Sequence, residues 1–388
     1  MSVRPFEVRV PDAVLVDLRE RLASARLPEA NEGESWDSGT SPVFLRRLLQ
    51  HWQTGFDWRA QEAAINRFSH FQAPVGGLEI HFIHERGHGK APLPLILTHG
   101  YPDSFLRFLK LIPLLTDPGA HGGDPSDAFD VVVPSLPGFG FSQQPSSEGM
   151  TFQVGNLWHK LMTELGYARF GAHGGDWGST ITEHLARSHA SSLAGIHLTD
   201  VPFWHTFQKP DDLSPAEEKQ LVATSAFMVK QGAYAMIQGT RPLTLAQGLM
   251  DSPVGLAAWL VEKFQSLSDC NGDVELRFSL DELLTNVMVY WTTGTIGPAF
   301  LPYYDFTQAG AMRWILETAK GWVGRSHVPT AIALFAKDST HPPREWAQRC
   351  FNVQRYTEFP RGGHFVAFEE AQLLAEDLRA FFRPLRDT

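Results

Sequence analysis

The stretch Gly174-Gly175-Asp176-Trp177-Gly178 sets one acidic side chain among glycines. It follows an apolar run at Phe170 and precedes residues with helical spacing. Flanking glycines let the backbone turn sharply and approach a neighbour closely. The middle side chain of such a strand-to-helix turn stands exposed as a nucleophile. Here that residue is Asp rather than Ser. A carboxylate that attacks an sp³ carbon leaves an ester, which water can cleave. A serine would leave an inert ether. Asp176 therefore fits a two-step displacement at carbon through a covalent ester. Taken alone, the same Asp would also suit a plain helix N-cap.

Two further residues complete a constellation. Leu334-Phe335-Ala336-Lys337-Asp338 is an apolar strand ending in a carboxylate, and Arg361-Gly362-Gly363-His364-Phe365 sets a histidine in a Gly-rich loop before the last helix. The chain order nucleophile, acid, histidine is that of the α/β-hydrolase fold. In this reading Asp338 orients and polarises His364, which activates water against the ester. Thr98-His99-Gly100-Tyr101-Pro102 follows an early apolar strand. The backbone N–H groups of Tyr101 and Trp177 are then candidates for an oxyanion hole.

These residues need strand ends to hold them. Leu78–His84 alternates as a strand, and short apolar runs occur at Pro94–Thr98, Phe129–Val133, Leu193–Leu198, Thr330–Ala336 and Val353–Glu358. Helical spacing is read at 103–115, 151–165 and 367–383. Strands alternating with helices imply a mostly parallel sheet, so the fold class is α/β. Residues 200–322 read as helical and aromatic, an insertion that interrupts the α/β core. Ahead of the core, Val14, Leu15, Leu18 and Leu22 mark an amphipathic helix, and 30–41 reads as a polar loop. The expected division is an N-terminal segment 1–75, core 76–200, helical lid 201–322 and core 323–388.

Composition excludes other classes. The 388 residues carry 33 Lys and Arg against 43 Asp and Glu, a formal charge of −10, and no basic run. Nucleic acid is therefore not an expected partner. No apolar run approaches the ~20 residues of a membrane span. The N-terminus lacks an apolar signal core. Cys270 and Cys350 read as buried reduced thiols, so a cytoplasmic location is expected. Base rates alone favour a homodimer.

The chain resembles the microsomal-type epoxide hydrolases of the α/β-hydrolase superfamily. The resemblance runs through RPFEV at the start, FDWR (56–59), GLEIHFIH (77–84), HGYPDSF (99–105), IPLLTDP (112–118), PSLPGFGFS (134–142), GGDWGS (174–179), DSPVGLAAW (251–259), FSLDELLTNVMVYWTTGTI (278–296) and RGGHFVAFEE (361–370). It implies an N-terminal segment packed outside core and lid. It implies two lid tyrosines that bind the epoxide oxygen. Tyr234 matches the first, and Tyr303 the second, with Tyr304 adjacent as the alternative. A phenol of pKa near ~10 can hydrogen-bond and protonate an opening alkoxide. The apolar, aromatic lid points to a hydrophobic epoxide, an aryl-bearing one among the candidates, and the resemblance implies no cofactor or metal.

This chain departs from the family pattern at two places. Tyr101 stands where Trp is frequent, and Asp338 where mammalian members have Glu. Mammalian members also begin with a membrane anchor, whereas this chain is read as starting at the soluble part. Two rival readings are a haloalkane dehalogenase, which shares the Asp nucleophile but needs indole donors for halide, and a hydrolase-fold binder without turnover. The string His84-Glu85-Arg86-Gly87-His88 matches a zinc motif literally, but it follows a strand and enters a turn rather than lying on a helix.

Overall fold

The computed structural model describes residues 2–28, 35–146, 149–207, 210–308 and 324–386. Residues 30–34 of the expected loop and 309–322 of the expected lid lie outside the described residues; 35–41 are irregular, with turns and bends over 37–40.

The strands are β1 (Arg4–Pro5), β2 (His70–Val75), β3 (Leu78–Glu85), β4 (Leu93–Thr98), β5 (Phe129–Pro134), β6 (Phe170–Gly174), β7 (Leu193–Leu198), β8 (Ser326–Phe335) and β9 (Phe351–Phe359). Among the described residues they form one sheet of 9 strands, ordered β1-β2-β3-β5-β4-β6-β7-β8-β9. From β5 to β9 the pairing is parallel. The pairs β1–β2, β2–β3 and β3–β5 are antiparallel. Every residue of β5, β6 and β7 is buried, as a parallel strand covered on both faces requires. The sheet reaches back before residue 76, because β1 and β2 join its edge. Sequence pattern did not show this: β2 carries Pro74, which edge positions tolerate but which weakens a strand signal.

Helices α1 (Asp12–Ala23), α2 (Pro42–Thr54) and α3 (Trp58–Ile65) precede β2. Helices α4 (Leu111–Thr116), α5 (Val154–Glu164) and α6 (Trp177–Ser188) cross between core strands. Between β7 and β8 lie α7 (Pro215–Gln231), α8 (Ala233–Thr240), α9 (Pro242–Asp251), α10 (Pro253–Leu267), α11 (Leu280–Thr293) and α12 (Leu301–Thr307). Ser214 with Glu217 and Ser279 with Glu282 form capping boxes that start α7 and α11. The N-terminal helices rest on this inserted layer: Arg21 reaches Asp251 at 2.7 Å, and His51 reaches Asp281 at 2.7 Å. Thr40 donates to the Ala258 carbonyl at 2.6 Å.

Two expected helices are broken. The 103–115 stretch is a tight turn, Phe105–Phe108, followed by α4, in which Pro113 falls in the first turn where its missing N–H does no harm. The 367–383 stretch is two helices, Val366–Glu369 and Ala371–Phe382, separated by a non-helical residue, Glu370.

Several histidines lie inside this core. His81 bonds His70 and Ser135, and His173 meets His197, which reaches Asp377 at 3.0 Å. Burial, reinforced by neighbouring histidines, holds His81 and His173 well below the usual imidazole pKa. The unfolded chain would take up protons there that the folded chain refuses. Stability is therefore expected to fall as pH drops below the unfolded imidazole value of about 6.5. Urea midpoints measured from neutral pH down to about 5 check this; a flat profile would contradict it.

Candidate active site

β6 ends at Gly174 and α6 begins at Trp177, so Asp176 sits at the turn between them. Its backbone has φ 59° and ψ −129°, a region costly for any residue with a Cβ. Asp176 occupies the N-cap position of α6, yet its side chain makes no capping hydrogen bond. Instead Oδ1 accepts the Tyr101 N–H at 2.9 Å. The helix-cap reading is thus not what the carboxylate does. The turn fits only because its neighbours lack side chains. A Cβ at Gly178 would lie 2.1 Å from the Thr98 carbonyl oxygen, and one at Gly100 would lie 2.2 Å from Asp176 Oδ1.

Asp338 follows β8, and His364 lies in the loop before the helix Val366–Glu369. His364 Nδ1 and Asp338 Oδ1 are 2.9 Å apart. On the ring's other side, Nε2 stands 3.5 Å from Asp176 Oδ2, an ion pair without a hydrogen bond in the described geometry. Burial opposes charge on both His364 and Asp338. For His364 it is outweighed by Asp338 and Asp176, which hold the imidazole well above its usual pKa. For Asp338 it is outweighed by His364 and by the Ser339 N–H, which keep the carboxyl below the usual range. Asp200, just after β7, is a further carboxyl near this group. Burial and then the charge of Asp338 push its pKa up to about 7, and Ser179 hydrogen-bonds it.

Trp177 is the first residue of α6, so its N–H has no partner within the helix and carries part of the helix's positive end. The Tyr101 and Trp177 N–H groups therefore flank Asp176 from two chain segments.

Above Asp176 stands a group of aromatic rings. Tyr234 comes from α8 and Tyr303 from α12. Their ring centroids are 5.9 Å apart. Tyr303 also meets Trp177 at 5.2 Å and Tyr101 at 5.5 Å, edge on. Of the two adjacent tyrosines, Tyr303 is the buried one that makes these contacts; Tyr304 is half-buried. Burial, with the nearby Asp176 charge adding to it, raises the phenol pKa of both Tyr234 and Tyr303. Both are thus neutral donors at physiological pH. Lys263 lies over the Tyr234 ring at 4.5 Å and pairs with Glu262.

The loops that carry these groups are tied together from below. Asp103 accepts the Gly100 N–H at 3.0 Å and pairs with Arg107 at 2.6 Å. Arg107 also donates to the His364 carbonyl at 2.7 Å. Both side chains of the pair are buried. Glu369 accepts the N–H groups of Gly363, Phe365 and Asp269 at 3.1, 3.0 and 2.8 Å. It therefore grips the peptides on either side of His364 and the end of the inserted layer. Sequence reading missed Arg107, Asp103, Asp200 and Glu369. The strings HGYPDSF and RGGHFVAFEE contain Asp103 and Glu369, but nothing in a linear string says what a carboxylate will face. The two histidines of the zinc-like string part ways: His84, in β3, bonds the Tyr167 hydroxyl, while His88 pairs with Asp117.

An Asp at a strand-to-helix turn, facing a histidine that pairs with a second carboxylate after later parallel strands, is the arrangement of an α/β hydrolase. Family models agree: residues 3–108 match the epoxide hydrolase N terminus, and residues 94–231 match the alpha/beta hydrolase fold. A homologue from Stigmatella aurantiaca is 42% identical over 387 residues, covering 99% of this chain and 86% of its own. Epoxide hydrolase 1 of Sus scrofa is 37% identical over 406 residues, covering 98% of this chain and 88% of its own. Among solved structures, juvenile hormone epoxide hydrolase from Bombyx mori superposes with a TM-score of 0.87 at 26% identity, covering 99% of this chain and 95% of that one. The Aspergillus niger epoxide hydrolase gives 0.85 at 28%, covering 99% and 97%. The chain belongs to the epoxide hydrolases, hydrolases that act on ether bonds. No helix among the described residues is long and apolar enough to cross a membrane.

The buried ion pair generates a stability test. Arg107→Ala leaves Asp103 uncompensated in the interior, which is expected to cost about 3–5 kcal/mol. Urea unfolding of the variant against the parent reads this directly. A loss below about 1 kcal/mol, the range of exposed pairs, would contradict it.

Proposed function

We propose that the chain opens a hydrophobic epoxide to a vicinal diol through an ester on Asp176. The observation that carries this is the posture of Asp176. One oxygen rests on the Tyr101 N–H, and the other faces His364 at 3.5 Å without a hydrogen bond. In this reading Oδ2 attacks an epoxide carbon from the side opposite the C–O bond, and that bond breaks. The leaving oxygen takes a proton from Tyr234 or Tyr303, whose neutral phenols share the space over Asp176. His364 passes its proton to the phenolate, and the neutral ring then takes one from the water that attacks the ester carbonyl. The N–H groups of Tyr101 and Trp177 hold the oxyanion at the position of Oδ1. Collapse releases the diol, which takes that proton from His364, and the carboxyl left on Asp176 gives the water's second proton back to His364. Carboxylate, imidazole, phenol and water supply every step, so the proposal calls for no cofactor or metal.

The charge balance gives the order of events. In the resting site His364 is held as imidazolium by two carboxylates. Ester formation removes the charge of Asp176, and with it part of what kept the proton on His364. The imidazole becomes a base only once there is an ester to hydrolyse. The phenols favour an epoxide over a halide, since an alkoxide must be protonated and a halide need not be.

The aromatic surroundings of Asp176 suit an apolar, aryl-bearing substrate. We read residues 201–322 as the lid over the core segments 76–200 and 323–388, with 1–75 as a brace on the lid. Cys270 and Cys350 are free and buried, which suits the reducing cytoplasm. A homodimer rests on base rates alone.

His364→Gln is expected to trap the ester: styrene oxide should add its mass to the protein, on the peptide holding Asp176. Asp176→Asn should add none. A single turnover of the parent in oxygen-18 water should give unlabelled diol, and later turnovers labelled diol. Label in the first diol would mean direct attack by water.

A further inference from the structure

Gln238 lies on α8 one turn beyond Tyr234, so the two share a helix face. Its side chain is fully buried, and apart from the neighbouring Tyr101 hydroxyl neither its Nε2 nor its Oε1 has a hydrogen-bond partner among the described residues. A buried carboxamide left unpaired is destabilising by about 1–3 kcal/mol, so its presence calls for a use. Its neighbourhood supplies one. The Tyr101 hydroxyl lies beside it and accepts the Trp259 indole N–H at 2.9 Å. The Tyr101 ring lies parallel to Tyr234 at 6.5 Å and edge-on to Tyr303 at 5.5 Å. A polar spot is therefore set into the aromatic group above Asp176. The Trp259 N–H is already engaged with Tyr101, whereas Gln238 keeps an N–H to donate beyond the one that faces the Tyr101 hydroxyl.

We infer that Gln238, with the Tyr101 hydroxyl beside it, is a subsite for a hydrogen-bond-accepting oxygen, an ether or carbonyl, carried by the epoxide substrate next to its oxirane. The inference rests on the epoxide-opening reading and narrows its substrate class from hydrocarbon to oxygen-bearing epoxides. The physical ground is asymmetric. A pocket that buries an unpaired amide binds an apolar chain poorly, because that chain leaves the amide dry. A chain with an oxygen at the right place satisfies it.

The test compares phenyl glycidyl ether with 4-phenyl-1,2-epoxybutane, which replaces the ether oxygen by a methylene. The parent enzyme is expected to favour the ether in kcat/KM by ~10-fold or more, the scale of one buried hydrogen bond. Gln238→Leu is expected to bring the ratio of the two kcat/KM values close to one, chiefly through KM. Tyr101→Phe keeps the backbone N–H used at Asp176 and should lower the same ratio, which covers a Gln238 variant that folds poorly. A parent that shows no preference for the ether overturns the subsite. So does a ratio that Gln238→Leu and Tyr101→Phe both leave unchanged. No diol from either substrate with the parent would instead overturn the reading of the reaction, and the subsite with it.

Discussion

Asp176 holds its carboxylate away from the helix it begins. Its backbone at φ 59° turns the side chain out of the cap geometry and toward Tyr101. Much of the surrounding structure follows from that one placement. The positive φ is tolerated because Gly100 and Gly178 leave room where any Cβ would collide. Strain of this kind persists only when the neighbourhood over-determines it. Here the neighbourhood is a buried parallel sheet, in which β6 lies between β4 and β7 and cannot shift without disturbing both.

The second constraint is electrostatic. A histidine between two carboxylates holds its proton tightly, and a ring that is already protonated cannot take another. The proposed reaction resolves this by making one of the carboxylates the reagent. Asp338 stays fixed by His364 and Ser339, so its contribution is constant through the cycle. Asp176 changes charge when it is esterified, so its contribution is not. Arg107, paired with Asp103 beneath both loops, sets its guanidinium within electrostatic reach of Asp176 and Asp338, while the pair as a whole stays neutral. It positions the backbone of Gly100 and His364 without taking part in proton transfer.

The strand-end positions of Asp176, Asp338 and His364 were legible in the sequence because each lies in a short local pattern of apolar run and glycine. The core strands were legible for the same reason. The edge strands β1 and β2 were not: one is 2 residues long and the other contains Pro74. Asp103, Arg107 and Glu369 were not legible as site-builders, since their partners lie far along the chain and no spacing encodes them. Gln238 was hidden for a different reason. Its meaning lies in the absence of a partner, and only coordinates can show that a buried amide has been left unpaired. Between Tyr303 and Tyr304 helical phase decides, and a one-residue phase is finer than a sequence string resolves.

The inserted layer is bound to the catalytic loop as firmly as the sheet is. The His364 N–H donates to the carbonyl of Leu267, the last residue of α10, at 2.9 Å. Asp269 accepts the Gly362 N–H at 3.0 Å while its own N–H goes to Glu369. Arg277 closes the ring by pairing with both Asp269 and Glu370. These bonds cross between elements with few residues of slack. The end of α10 therefore cannot swing away from the core without dragging the histidine loop. The start of α7 is tied down as well, since Arg349 pairs with Glu217 at 2.6 Å and with Asp212 at 2.9 Å.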